Sequence, residues 1–287
     1  MKGAIKNIVD FILFSSLFIA LCAISMVHQT YYLFHLSLYK NFIWFVFFGS
    51  LCSYNFHWYL TPGLYGGSYR TQWSVDHKKL HLILYIVGLI GGAWFCIKLL
   101  YHWEWLLATA FITFLYSAPK IPYKPFTSLK KIAVGKTIFL ALVWTHITAI
   151  LPLLLYGIQW RQEHFLFAVN RFFLIYPVCI LFDYRDREED KKQGIKSMIT
   201  LLSEKNINKL FYFCLLVFFS SSIALYLSGM PLINTIMLLI PGVIVTMIYN
   251  YAKKNASDYF YYFFLDGLMM FSALLIFIFQ FCLHLAH

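Results

Sequence analysis

The stretch LFDYRDREEDKKQGIKSMITLLSEKN, residues 181–206, decides how the chain is read: an apolar run ends at Phe182 and the most charged segment of the sequence begins at the next residue. Asp183, Asp186 and Asp190 are spaced +3 and +4. If the apolar run continues as a helix, a turn of 100° per residue puts the three carboxylates on one face at its end. Asp186 and Asp190, four residues apart, then repel each other by roughly 0.2–0.5 kcal/mol, and a bound cation reverses that penalty. Hard divalent ions such as Mg²⁺ take one or two carboxylates and complete their shell with phosphate oxygens and water. Three aspartates beside Arg185, Lys191, Lys192 and Lys196 therefore suit a magnesium diphosphate, and they suit equally a solvated mesh of surface ion pairs. Spacing alone leaves both readings open.

The segment stands out because the remainder is so apolar. Of the 287 residues, 61% are hydrophobic and 12% charged, about half the charged share of a soluble domain. The composition excludes a water-soluble globule, a disordered chain and a disulfide scaffold, and it predicts an all-α polytopic membrane protein. Nine apolar runs, 8–27, 41–60, 81–100, 103–117, 133–157, 164–182, 208–229, 231–252 and 259–285, are candidate spans of about 20 residues each. They leave no room for a separate soluble domain, so residues 1–287 read as a single transmembrane domain. A kink is expected at Pro241-Gly242. The first run follows Lys2 and Lys6, but its length and the lack of a small-x-small site predict a retained helix, not a cleaved signal. Six cysteines all fall in apolar segments without paired short spacing, which predicts small core residues.

A net charge of +11 would suggest nucleic acid in a soluble protein. Here it sorts by side: with the N-terminus inside, 18 of the 23 Lys and Arg fall in inner segments and three, Lys40, Lys98 and Arg161, in outer ones. That bias predicts nine spans, a cytoplasmic N-terminus, and long cytoplasmic loops at about 61–80, 118–132 and 183–207. Chemistry is expected to face the cytoplasm, in the inner or plasma membrane if the source is bacterial, with lipid and not nucleic acid as the surroundings.

DYRDREEDKKQGIKS, residues 183–197, resembles the second aspartate-rich motif of the UbiA superfamily of intramembrane prenyltransferases, (N/D)xxDxxxD followed by GxK(S/T). Asp183 takes the leading position, Asp186 and Asp190 the magnesium-binding pair, and Gly194, Lys196 and Ser197 the following turn. YSAPKIPYK, residues 116–124, is similar to the family's Y(S/P)xPxxxK signature. The resemblance implies a bundle of nine transmembrane helices whose cytoplasmic loops cap a site for Mg²⁺, a polyprenyl diphosphate and a lipophilic or aromatic acceptor. It also implies catalytic roles for Asp183, Asp186 and Asp190. Arg185, Lys196 and Lys124 would contact diphosphate, with Lys120 as an alternative to Lys124 and Tyr116 beside the substrate.

The family's first motif, roughly NDxxDxxxD at the end of span 2, has no counterpart. The equivalent stretch is SLCSYNFHWYLTPGLYGGSYR, residues 50–70, and no acid occurs between Asp10 and Asp76. A dinuclear site bridging a diphosphate then loses half its ligands. Asn55 and His57 are candidate substitutes for metal or phosphate contact, as is Asp76; Tyr54, Trp58 and Tyr59 are candidates for contact with an isoprenoid or a cation, or form an interfacial belt. Arg70 is a candidate counter-charge, because a diphosphate needs cations wherever carboxylate-held metal is absent. His77 and His81 have the i,i+4 spacing of metal ligands, but nothing nearby completes a site.

Asp266 lies several residues into the last apolar run, where an acid is costly unless paired or wet. Lys136 and Arg171 are candidate partners, and a substrate-binding or proton-handling role is the alternative. His146 is expected to hydrogen-bond to a neighbouring helix. Three functions compete at this point: a UbiA-like prenyltransferase, a noncatalytic UbiA-like protein that binds, moves or scaffolds around an isoprenoid or quinone lipid, and an unrelated proton-coupled transporter using Asp266.

Overall fold

Apolar side chains cannot drive helices together in a lipid that is as apolar as they are, so association rests on close fit and on interhelical hydrogen bonds. Both are visible in the computed structural model, which describes residues 2–61, 68–117, 135–192, 194 and 196–285. The helices are α1 (Lys2–Phe14), α2 (Leu17–Leu33), α3 (Lys40–Leu60), α4 (Tyr69–Asp76), α5 (Lys78–Lys98) and α6 (Trp103–Ser117). Then come α7 (Lys136–Thr145), a π-helical turn (His146–Ile150), α8 (Leu151–Leu155), α9 (Gln162–Lys192), α10 (Met198–Leu201), α11 (Glu204–Leu227) and α12 (Leu232–Ala252). A second π-helical turn (Phe260–Leu265) leads into α13 (Asp266–Leu285).

Among the described residues, helix occupies most of each of the nine apolar runs. Among the described residues six helices are long and apolar enough to cross a membrane, and seven if α1 and α2 count as one bent span. The two runs outside that set are α6, at 15 residues, and α3, whose second half, Ser53 to Tyr59, mixes polar groups with aromatic rings. The expected kink at Pro241-Gly242 does not interrupt α12, which runs from Leu232 to Ala252 with Pro241 inside it.

The first run is not the single helix its hydropathy predicts. It breaks at Ser15-Ser16, where Ser16 adopts φ 68°, and α1 leaves α2 at 57°. The break frees the Ser15 carbonyl, and Asn55 on α3 takes it: Asn55 Nδ2 donates to Ser15 O at 3.0 Å and to Leu51 O at 2.8 Å. With the amide nitrogen committed to two carbonyls, Asn55 Oδ1 faces His81 Nδ1 at 2.7 Å, which requires the proton on that ring nitrogen. Helix α1 thus turns Ile5, Ile8, Phe11 and Ile12 outward and buries Asp10. The Asp10 carboxylate accepts the hydroxyls of Tyr69 on α4 at 2.6 Å and of Tyr259 at the start of the last span at 2.5 Å.

Helices α3 and α5 pack along each other. A Cβ at Gly88 would sit 2.5 Å from the backbone nitrogen of Cys52, so only glycine allows this approach. The π-helical turn in the fifth run presents the Thr148 carbonyl to Thr30 Oγ1 of α2 at 2.5 Å. His146 in the same turn meets Thr109 Oγ1 of α6 at 2.9 Å, as its lone polar character predicts. Thr109 already donates to the Trp105 carbonyl at 2.7 Å, so His146 Nε2 is the donor.

Helix α9 matters most for function. Its 31 residues extend about 46 Å at 1.5 Å per residue, well beyond a hydrocarbon core of about 30 Å. The apolar run therefore continues as helix through the aspartates. It ends where Gly194, at φ 69°, donates its N–H to the Lys191 carbonyl at 3.0 Å. Ser197 then caps α10 by accepting the Thr200 N–H at 3.1 Å, so both small residues of the GxK(S/T) stretch have structural duties. The cysteines are free thiols; Cys22, Cys179 and Cys214 are buried, as expected, whereas Cys282 is exposed.

Four substitutions test this packing. Gly88→Leu is expected to destabilise the detergent-solubilised protein by about 3 kcal/mol or more, because backbone cannot yield to the new side chain; Gly49→Ala, with nothing within 4 Å of its Cβ, should change stability by at most about 1 kcal/mol. Asn55→Leu should cost roughly 2–4 kcal/mol by stranding the Ser15 carbonyl and His81, and adding His81→Leu should recover part of that loss, since removing both partners strands fewer groups. Unfolding titrations of the four variants check both statements.

Candidate functional site

The α9 aspartates open onto a cavity of about 510 Å³ bounded by α1 to α4, α7, α9 and the last span. Its character changes along α9. Val178, Cys179 and Phe182 line one end, and Asp183, Asp186, Glu189 and Asp190 the other, over about 18 Å of helix. Apolar and aromatic groups such as Phe18, Leu140, Trp144 and Met269 deepen the first end, while Arg70 and Arg185 join the acids at the second.

Arg70 is 2% exposed although it is on a short helix outside the spans. Its guanidinium donates to the Phe14 carbonyl and lies 4.1 Å from the Trp58 ring centroid and 5.6 Å from that of Tyr262. Its backbone N–H donates to Asp258 Oδ2 at 2.7 Å. Burial lowers the Arg70 pKa to about 9, against the opposing pull of Tyr262, Asp258 and Asp266, so the group remains a cation at neutral pH. Its Nε is buried with no hydrogen-bond partner among the described residues.

Arg185 spreads across three neighbours. Nε meets Asp186 Oδ1 at 2.7 Å and Nη2 meets Asp186 Oδ2 at 3.2 Å, a forked pair. Nη2 also donates to Tyr262 Oη at 3.2 Å, and Nη1 lies 3.7 Å from Asp258 Oδ1. The Tyr262 ring is 5.2 Å from the Arg185 guanidinium, so two cations share one aromatic ring.

The structure gathers Asp183, Asp186, Asp190, Arg185, Arg70, His57 and Asp266 around this one cavity. Asp183 accepts the Thr137 hydroxyl from α7. His57 lines the wall from the end of α3 together with Tyr54 and Trp58. Asp266 does not pair with Arg171, which instead donates to Gln29 Oε1 at 2.9 Å; the charges that act on Asp266 are Arg185 and Arg70.

Other sequence candidates fall elsewhere. Asn55 is fully buried in the helix-break contacts and does not line the cavity, because its amide is consumed by the Ser15 and Leu51 carbonyls. Asp76 accepts Gln72 Nε2 at 3.0 Å on an exposed face, away from Asp186. His77 stacks on Trp73 at 4.1 Å while His81 turns to Asn55, so their i,i+4 spacing does not converge on a metal. Lys196 is exposed between α9 and α10 and is not a cavity residue. Lys120, Lys124 and the side chains of Tyr116 and Lys136 lie outside the described residues.

Sequence reasoning missed Tyr262, Asp258 and Thr137. Asp258, a charge at the start of the last run, was visible as a signal; Tyr262 was not. It sits in FYYFFL, where every residue is apolar or aromatic, and the π-helical turn alters the phase that a 100° wheel assumes.

Among the described residues no three His, Cys, Asp or Glu side chains stand close enough to form a protein-only metal cage. The donors still fit one Mg²⁺ of the kind that takes one or two carboxylates and fills its shell from phosphate and water, with Asp186 and Asp190 as the carboxylates. They do not fit a second ion across the cavity, where the α3–α4 wall offers Arg70 and His57 in place of carboxylates.

Comparisons with known proteins agree with this picture at the level of the family. The sequence model of the UbiA prenyltransferase family matches residues 75–275, well over half of the chain and inclusive of the whole α9 aspartate segment. Comparisons with curated proteins and with solved structures give no match. With an all-helical bundle over its described residues and that match, the chain belongs to the UbiA prenyltransferase family.

Proposed function

We propose that this chain is a prenyltransferase that moves a polyprenyl group from its diphosphate to a lipophilic or aromatic acceptor. The observation that carries this reading is the cavity itself: carboxylates and two guanidiniums gather at one end, and an apolar, aromatic-lined depth continues from them. That is the polarity of a molecule with a diphosphate head and an isoprenoid tail. The family match supports the same substrate class.

In this reading Asp186 and Asp190 would hold one Mg²⁺ with their carboxylates, and Asp183, which accepts the Thr137 hydroxyl, orients the site. The ion, when bound, supplies positive charge to the leaving diphosphate. Arg70 supplies charge from the opposite wall, where relatives with a complete first motif have carboxylates, and Arg185 supplies it from α9. The allylic C–O bond breaks, the bonding electrons leave with diphosphate, and the carbocation forms beside Phe182, Trp58 and Trp144, whose ring faces stabilise positive charge. The acceptor's electron pair closes the new bond. The proton it then loses has a receiver in the Asp266 carboxylate, about one helical turn deeper than Tyr262.

The same reading places the chain in the membrane as one nine-span unit with its N-terminus and its site on the cytoplasmic side, supported by the 18-to-3 division of basic residues and by helix over most of each of the nine runs.

Purified protein incubated with Mg²⁺, labelled prenyl diphosphates of several lengths and a panel of aromatic acceptors tests the proposal. Diphosphate release is expected, falling by roughly 100-fold or more in Asp186→Asn and in Asp190→Asn, and by a comparable factor in Arg70→Gln, the usual scale for loss of a preorganised charge at a leaving group. No turnover with any pair, together with tight co-purification of an isoprenoid or quinone lipid, would replace the enzyme with a noncatalytic binder.

A further inference from the structure

Arg185 and Asp258 stand in an unfinished contact. Arg185 Nη1 and Asp258 Oδ1 are both buried, face each other at 3.7 Å, and neither makes a hydrogen bond among the described residues. Meanwhile Nε and Nη2 of the same guanidinium hold Asp186 at 2.7 and 3.2 Å. Two carboxylates therefore compete for one cation. The one that holds it is half exposed at the cavity, at 51%, and the one just out of reach is 4% exposed.

The environments explain why this arrangement has two positions. A buried carboxylate oxygen without a donor is costly, so Asp258 gains more from the guanidinium than Asp186 does once Asp186 has another cation. Asp258 is also fixed in place, because its other oxygen accepts the Arg70 N–H at 2.7 Å. Tyr262 borders the guanidinium, with its ring centroid 5.2 Å away, and the Tyr261 centroid is at 4.6 Å. An aromatic surface of this kind favours the cation in either position.

Resting on the reading of this cavity as a metal-diphosphate site, we infer that Arg185 is a stand-in cation on Asp186 when the site is empty, and that Asp258 is the positioning residue that receives it when Asp186 turns to an incoming ion. The exchange breaks the Arg185–Asp186 pair and closes the Arg185–Asp258 gap, with no change in the number of protons. Because Asp258 also accepts the Arg70 backbone N–H in the first turn of α4, the exchange links occupancy of the α9 aspartates to the helix that carries Arg70.

The competition has a signature that general loss of structure does not share: the two partners of Arg185 have opposite effects. Binding of Mn²⁺, read by electron paramagnetic resonance on the full chain in lipid nanodiscs, should tighten in Arg185→Gln, which removes the competitor from Asp186. It should weaken in Asp258→Asn, whose amide oxygen still accepts the Arg70 N–H but no longer offers Arg185 a negative charge. Shifts of roughly three- to tenfold in each direction are the scale of a partly exposed, charge-assisted pair. Should Asp258→Asn not fold, the Arg185→Gln arm decides alone.

Equal Mn²⁺ affinity in wild type and Arg185→Gln, or shifts of the same sign in both variants, would overturn the inference. A parallel titration with geranyl thiodiphosphate, which does not ionise, separates this from the wider proposal. If wild type binds Mn²⁺ and the thiodiphosphate but the variants fail to diverge, the exchange alone is wrong. If wild type binds neither, the metal-diphosphate reading falls and the exchange falls with it.

Discussion

A polar group taken between membrane helices has no water to return to, and the architecture follows from where each such group finds its partner. The break at Ser15-Ser16 is tolerated because Asn55 crosses from α3 to take the freed carbonyl and His81 completes the amide. The first π-helical turn is tolerated because Thr30 reaches the Thr148 carbonyl. Asn170 is held by Ser222 at 2.7 Å and by Ser221 at 3.2 Å on α11. Each of these contacts joins helices far apart in sequence, so satisfying the polar groups and assembling the bundle are one process.

That accounting is left open at several points among the described residues, Tyr31 Oη, Arg171 Nη1 and Asn234 Oδ1 among them, and again beside the cavity. Among the described residues Arg70 Nε, Arg185 Nη1 and Asp258 Oδ1 are buried without hydrogen bonds; the two arginines line its polar end, and Asp258 contacts both of them. Unsatisfied groups of this kind cost stability, and they are arranged around a space open to a charged ligand. The α4 helix, too short to stand alone, is held by Tyr69 on Asp10, by Arg70 on Phe14 and by Asp258, so the wall that supplies Arg70 depends on the N-terminal helix and the last span together.

The lack of acids between Asp10 and Asp76 has a structural counterpart. Across from α9, the α3–α4 wall presents a buried guanidinium held over aromatic rings. Direct positive charge needs no metal to bridge it to a diphosphate, whereas carboxylates do. The cavity thus has carboxylates on its α9 wall and a fixed positive charge, Arg70, on the wall opposite.

The sequence by itself determined the membrane class, the helical runs and the α9 carboxylate face, because these depend on composition and on the 3.6-residue period, both of which are local. It also singled out Arg70, His57 and Asp266 as candidate site groups. The tertiary structure alone decided that Asn55 is a structural amide, that Asp266 turns from Arg171 toward the cavity, and that Asp258 and Tyr262 belong to the site. Those outcomes depend on which distant helix supplies a hydrogen bond and on helix irregularities that shift the register of a face. A π-helical turn inside an unbroken aromatic run leaves no trace in hydropathy, and a carbonyl freed by a break is satisfied by a residue 40 positions away.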